Sequence, residues 1–218
     1  MIQPDHFFLV LEGMDGSGKS EISRRLTSLL ENALGADRVR HSYEPHNPSA
    51  AGDFCRDVLA KRITVSARTL ALGFALNRAD HNERVIAPFL SGSDPRVLVC
   101  DRYYHSSLVY QSTGGLSVTD VWELNKTARI PDLTLFLDAS PETCYTRTGK
   151  RKGERELFED RFAETRLKYF SVIEMLRGRG EQIDSIDADG SIRDVLNGII
   201  AALDAHAPDW LRLERLTP

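Results

Sequence analysis

The stretch "FFLVLEGMDGSGKSEISRRL", Phe7 to Leu26, runs from unbroken apolar residues into three closely spaced glycines, a lysine and a serine, and then into a helical pattern. A run that is apolar at nearly every position reads as a strand covered on both faces. The segment "GMDGSGKS", Gly13 to Ser20, fits G-x-x-x-x-G-K-[ST] at every fixed position and sits between a strand and a helix, the context this loop requires. Glycines at 13, 16 and 18 let the backbone turn tightly and bring its N–H groups against phosphate oxygens, and the helix after them points its positive end at the same place. Lys19 can bridge the β- and γ-phosphates, and the Ser20 hydroxyl can ligate Mg²⁺. A bare glycine turn capped by a serine is the bland alternative, and it leaves the Lys-Ser pair unexplained.

Outward from this loop the chain alternates short apolar runs with longer helical patterns. Strands are expected at 7–13, 96–101 and 132–138, with weaker ones at 38–43 and 181–188. Helices are expected near 19–34, 53–61, 66–90, 102–111, 119–128, 141–148, 158–178 and 190–206. This pattern gives an α/β fold, a parallel sheet of about five strands with helices on both faces. The 218 residues fit a single domain, 1–218, with no linker or repeat.

The formal charge of −4 and the lack of a basic stripe argue against long nucleic acid as a partner, while leaving room for a small anion in one positive pocket. No segment has the roughly 20 apolar residues of a membrane span, and the N-terminus lacks the pattern of a signal peptide. The three scattered cysteines, Cys55, Cys100 and Cys144, read as reduced core residues, and the expected location is the cytoplasm. The six histidines show no ligand spacing.

A guanine-reading N-K-x-D is missing. The nearest string, "NKTA" at 125–128, has Ala128 in place of the aspartate and reads as helix surface. "VLVCDRYYHSSLVYQ", 97–111, instead puts Asp101 at a strand end, where an acid can hold Mg²⁺ directly or through water. Arg102 comes next and can clamp a second anionic group. The bland alternative is an Asp–Arg helix start on the surface. Taken by their helical spacing alone, Phe74 reads as core and Arg78 as surface.

Five strings, "FFLVLEGMDGSGKS", "FALNRADH" (74–81), "DRYYHSSLVYQ" (101–111), "PDLTLFLDASPE" (131–142) and "IDA" (186–188), resemble the thymidylate kinase family in order and spacing. The resemblance implies a three-layer P-loop kinase fold with a short basic lid, 147–156, and phosphoryl transfer from ATP to dTMP with Mg²⁺. It implies an ATP-binding loop of Gly13, Met14, Asp15, Gly16, Ser17, Gly18, Lys19 and Ser20. Arg102 becomes the clamp between donor and acceptor, Phe74 stacks on the base, Arg78 bonds a base carbonyl, and Ser107 reads the pyrimidine edge. Tyr110 lies against the sugar, where a 2′-hydroxyl would crowd it. Asp15 contacts the acceptor sugar or a metal-bound water, joining Ser20 and Asp101 as a candidate metal contact. Glu44 and Pro45 border the acceptor. Lid arginines, with Arg151 and Arg155 the foremost, would supply charge beside Lys19 and Arg102, although a basic run also reads as a solvated face. Small nucleotides are the implied partners, and the family implies a homodimer.

One departure stands out. Where the family shows T-R-E-P-G-G, this chain has "SYEPHN", with Tyr43 for the arginine and His46 and Asn47 for the glycines. That change raises the alternative of a kinase of the same fold acting on another nucleotide, a deoxynucleoside or a related acceptor. Gly16 stands where some relatives carry an arginine, which favours an arginine supplied by the lid.

Overall fold

The computed structural model describes residues 6–148 and 155–212, with side chains left undescribed at 155–160. Five parallel strands form one sheet in the order β2-β3-β1-β4-β5: β1 His6–Gly13, β2 Val39–Tyr43, β3 Arg96–Asp101, β4 Leu133–Asp138 and β5 Ile183–Asp187. β1 lies at the centre with Phe8 to Leu11 fully buried, as a run apolar on both faces demands. Its register sets Leu11 opposite Asp101 on β3 and Gly13 opposite Leu137 on β4, so three strands end together.

Between the strands run α1 Lys19–Leu34, α2 Ala50–Leu59, α3 Ala67–His81, α4 Ala87–Leu90, α5 Tyr104–Tyr110, α6 Val118–Asn125, α7 Pro141–Arg147, α8 Arg155–Arg177 and α9 Ile192–His206. α1 packs on the sheet and on α9 on one face; α4, α5 and α8 occupy the other. Right-handed crossovers require this division for the observed strand order. The core is continuous from β1 through Leu26 and Leu30 of α1, Leu108 of α5, Tyr169 and Leu176 of α8, and Ile199 of α9. Cys55, Cys100 and Cys144 are free and buried, as expected.

The helices expected over 66–90 and 53–61 differ most from expectation. The single helix expected over 66–90 is interrupted by a π-helical segment, Asn82–Ile86, before α4 resumes. Pro88 lies in the first turn of α4; without an N–H and with a ring that crowds the preceding carbonyls, it disfavours an unbroken α register. α2 begins at Ala50, not Asp53, because the Ser49 side chain accepts from the Gly52 N–H and caps the helix early. No helix among the described residues is long and apolar enough to cross a membrane.

Candidate active site

The loop after β1 turns through left-handed conformations at Gly16 and Gly18, with φ of 85° and 96°. At Gly16 the constraint is also steric: a Cβ there would lie 2.4 Å from the Cys144 carbonyl oxygen on α7. An arginine at this position would collide with that backbone, so the loop cannot carry one without moving. α1 starts from Gly18, which offers no side chain to cap it. Its first amides and its positive end therefore face the loop. Lys19 is buried and curls back to donate to the Met14 carbonyl at 2.7 Å, while Met14 itself fills the core. Burial, assisted by the Arg102 charge, pulls the Lys19 pKa down to about 8, against Asp101, Asp15 and Glu12, which pull it up. The Ser17 hydroxyl is buried without a partner.

Ser20 Oγ donates to Asp101 Oδ2 at 2.7 Å, joining the first turn of α1 to the end of β3. The other Asp101 oxygen, Oδ1, is buried and unpartnered. A hydroxyl beside a carboxylate with a spare oxygen fits Mg²⁺, which takes one or two protein ligands and fills its octahedron with water and phosphate oxygens. Asp15 is not part of this pair; its side chain is 72% exposed and pairs with Arg102 Nη2.

Arg102 adopts a left-handed conformation, φ 68°, as the chain leaves β3. Its N–H donates to the Leu11 carbonyl at 2.9 Å. The side chain lies between the two halves of the site: Nη1 donates to Ser106 Oγ at 2.9 Å and approaches the Gly13 carbonyl at 3.4 Å, while Nη2 meets Asp15. The guanidinium also covers the Tyr110 ring at 5.6 Å. Burial opposes its charge, but Tyr169, Tyr110, Asp15 and Glu12 outweigh this and hold its pKa above the ordinary arginine range. Beneath it, Glu12 is almost completely buried. Its carboxylate accepts from Tyr103 N (2.8 Å), Ser106 N (3.1 Å), Ser106 Oγ (2.7 Å) and Tyr169 Oη (3.1 Å).

A cavity of about 390 Å³ opens from Arg102 and Asp15, lined also by Glu44, Pro45, Phe74, Arg78, Ser107 and Tyr110. All eight candidate acceptor residues therefore meet in one place, drawn from the phosphate loop, the β2–α2 loop, α3, and the β3–α5 segment. The readings from helical spacing alone are corrected: Phe74 is half-buried and lines the cavity, and Arg78 is buried, not on the surface. Burial of the Arg78 charge is possible because its donors are matched. Nε donates to Glu44 Oε2 at 2.7 Å, Nη2 to Ser107 Oγ at 3.1 Å, and Nη1 to Asn125 Oδ1. Asn125 is buried, so reading "NKTA" as helix surface was wrong at its first residue. Glu44 uses its second oxygen on His81 Nδ1 at 3.1 Å, and His81 Nε2 lies 2.6 Å from Ser42 Oγ.

Residue-level reading missed Glu12, Tyr169, Asn125 and Gln111. Gln111 lines the cavity with a buried, unpartnered Oε1. Glu12 alone carried a local signal, a charge inside an otherwise apolar strand. Of the lid, Arg147 is described: it donates to the carbonyls of Ser17 (3.3 Å), Ala188 (2.9 Å) and Gly190 (3.3 Å), tying the phosphate loop to the turn after β5. Arg151 lies outside the described residues, as does the Arg155 side chain, although Arg155 begins α8.

The chain matches the thymidylate kinase family model over residues 11–199. It is 30% identical over 213 residues to a thymidylate kinase of Limosilactobacillus reuteri, covering 94% of this chain and 99% of that protein. A thymidylate kinase of Xanthomonas oryzae pv. oryzae is 33% identical over 202 residues, covering 93% and 86%. The crystal structure of thymidylate kinase from Ehrlichia chaffeensis shares the fold at a TM-score of 0.70 and 23% identity, covering 91% of this chain and 98% of that one. The strand order, the phosphate loop and the Asp101-Arg102 turn agree with the sequence matches: this chain belongs to the thymidylate kinase family of nucleoside-monophosphate kinases.

Proposed function

We propose that the protein transfers the γ-phosphoryl group of ATP to dTMP, giving dTDP and ADP. The observation that carries this reading is the position of Arg102, which touches the Gly13 carbonyl at the donor loop and also lines the acceptor cavity. A phosphate held by the loop and one held in the cavity would both face this cation. An oxygen of the dTMP phosphate, already ionised at neutral pH, attacks the γ-phosphorus as the bond to the ADP oxygen breaks. No strong general base is required, and positioning and charge neutralisation lower the barrier.

Lys19 and the loop amides of Gly13 to Ser20 hold the ATP phosphates, and Arg102 draws the acceptor phosphate toward them. Ser20 and Asp101 would hold Mg²⁺, with Asp15 contacting its water or the acceptor sugar; bound there, the ion neutralises phosphate charge. On the acceptor side, Phe74 stacks on thymine, and Arg78 with Ser107 reads its polar edge. Arg78 offers only donors, so it selects a base carbonyl over an amino group. Tyr110 closes against the sugar, and Glu44 and Pro45 form the wall behind. Arg151 and Arg155 supply lid charge; the free, buried cysteines support a cytoplasmic location, and the family resemblance supports a homodimer.

A coupled assay of ADP release with dTMP, dUMP, dCMP, dGMP, dAMP and thymidine tests it. dTMP should give the highest kcat/KM; faster turnover of another acceptor, or phosphorylation of thymidine itself, would overturn it.

A further inference from the structure

Arg78 stands between two cavities. The acceptor cavity lies on one side; on the other is a smaller space of about 190 Å³, lined by Arg78, Asn82, Leu124, Asn125 and Ala128 among others. A long side chain flanked by empty volume on both sides is not fixed by packing alone. Its direction is set by the groups that take its protons. Glu44 and Ser107, which line the acceptor cavity, take Nε and Nη2. Nη1 is held by the side-chain oxygen of Asn125, which borders the rear space.

The orientation of Asn125 is itself fixed. As the last residue of α6, it donates from Nδ2 to the Val121 carbonyl at 2.8 Å. That bond assigns the amide nitrogen to the helix and leaves only the oxygen for Arg78. α6 is anchored at its other end by a capping box between Ser117 and Asp120, and it packs on α3 and α5, the helices that carry Arg78 and Ser107.

We infer that Asn125 is a positioning residue for acceptor specificity: it holds the Arg78 guanidinium forward, so that the one N–H not taken by Glu44, Ser107 or Asn125, the second on Nη1, is kept for the base. The inference rests on the proposed role of Arg78 toward the acceptor. Without the Asn125 oxygen, Nη1 loses its partner, and the rear space gives the guanidinium room to swing away from the base. Binding of a keto pyrimidine should then weaken, while donor binding and phosphoryl transfer, which depend on the loop and Arg102, stay as they were.

The test is steady-state kinetics of Asn125→Ala, Asn125→Asp, Arg78→Ala and the Asn125→Ala/Arg78→Ala double variant. Asn125→Ala should raise the KM for dTMP by about tenfold or more and narrow the preference for dTMP over dCMP by a similar factor. The KM for ATP and kcat should stay within about threefold. Asn125→Asp retains an oxygen for Arg78 but gives up the Nδ2 bond to the Val121 carbonyl, so it should recover part of the loss; a purely structural role predicts that it fails at least as badly as the alanine variant. Once Arg78 is alanine, removing Asn125 should change the KM for dTMP by less than about twofold, because the two act as a unit. Should Asn125→Ala not fold, Asn125→Leu preserves the volume without the oxygen and takes its place. An unchanged KM in the asparagine variant beside a raised one in Arg78→Ala would overturn this inference alone. Multiplying effects in the double variant would overturn it too. An unchanged KM in Arg78→Ala would overturn the assignment of Arg78 under the proposed function, and this inference with it.

Discussion

The sharpest perturbation of the site is at Glu12, which contacts no substrate in the proposed reading. Its Oε1 accepts the two backbone amides of Tyr103 and Ser106; its Oε2 accepts the hydroxyls of Ser106 and Tyr169. Those hydroxyls lie 2.9 and 3.5 Å from Arg102 Nη1. Glu12→Ala would strand the two backbone N–H groups of Tyr103 and Ser106, while the Tyr169 hydroxyl keeps the Gly13 carbonyl at 3.2 Å. At about 1–1.5 kcal/mol for each buried unsatisfied group, the cost is about 2–3 kcal/mol. In a chain of this size that lowers Tm by about 4–12 °C. Glu12→Gln separates stability from function. The amide oxygen can still accept the backbone N–H groups, while its NH₂ reverses the other pair of bonds, so that Ser106 and Tyr169 become acceptors. They then receive protons from both the amide and Arg102, with no negative charge beneath the guanidinium. Arg102 loses its underlying anion and drifts, and kcat should fall by about 10- to 100-fold, equal to about 1.4–2.7 kcal/mol of barrier. The Tm should fall by much less than in the alanine variant. The assay is ADP release at saturating ATP and dTMP, paired with thermal unfolding of the same samples. Wild-type kcat in Glu12→Gln would refute the reasoning, since a carboxylate that only fills space would not care about its charge.

Other consequences are more direct. Lys19→Ala and Arg102→Ala should each abolish turnover while leaving a folded protein by circular dichroism; near-normal rates in either would contradict the assigned role. Lys19 has a folded-state pKa of about 8 in the ligand-free chain, below its ordinary 10.5. The neutral form therefore dominates above pH 8, and ATP binding must restore the proton. Proton uptake should appear by calorimetry in buffers of differing ionisation enthalpy, growing as pH rises through 8, and ATP affinity should fall over the same range. For stability the sign runs the other way: between pH 8 and 10.5 the unfolded chain binds more protons, so Lys19 destabilises the fold below pH 8 and that penalty fades as pH rises. Gly16→Ala adds a Cβ 2.4 Å from the Cys144 carbonyl oxygen at φ 85° and should weaken ATP binding sharply with a Tm loss of several degrees. Unchanged binding would mean that the loop and α7 are not in register as described.

The parts of the site that could be read from the sequence are those in which neighbouring residues do the work. Gly13 to Ser20 form one turn, Asp101 and Arg102 sit at one strand end, and Phe74 and Arg78 share one helix face. Strand positions were legible for a similar reason, since burial on both faces writes itself as an unbroken apolar run. Glu12 and Tyr169 meet across 157 residues, and Arg78 and Asn125 across 47, so no spacing rule links them. Burial of Arg78 also escaped helical periodicity, because a period-3.6 pattern assigns charge to the outer face and cannot know that Glu44 waits inside. The start of α5 at Tyr104, not at residue 102, comes from the left-handed Arg102, a conformation that no residue type announces unless it is glycine.

The divergent loop after β2 bears most directly on acceptor identity, and its geometry favours dTMP. Of the five residues 43–47, those that line the acceptor cavity are Glu44 and Pro45, the two that keep the family's pattern. The substituted residues are occupied elsewhere. The His46 backbone is pinned by Asn77, whose Oδ1 accepts the His46 N–H at 2.7 Å and whose Nδ2 donates to its carbonyl at 3.0 Å. The His46 ring stacks on His81 at 4.2 Å, behind the Glu44 carboxylate. Asn47 donates to Asp53 at 3.0 Å. Tyr43 lies under the Arg56 guanidinium at 5.5 Å. Stacking by His46 gives the loop the rigidity that two glycines would not, and does so from outside the cavity. Burial, and then the neighbouring His81, lowers the His46 pKa, so the stack favours a neutral His46 ring. As pH falls below 6.5 the unfolded chain binds protons that His46 resists, and the loop should lose stability there. His46→Phe keeps the stack without the titration. If the stack holds Glu44 and hence the cavity, this variant should retain wild-type dTMP kinetics and lose part of the acid sensitivity of KM, whereas His46→Gly should raise the KM for dTMP without changing which acceptor is preferred. A switch of preferred acceptor in His46→Gly would show that the loop reads the base after all.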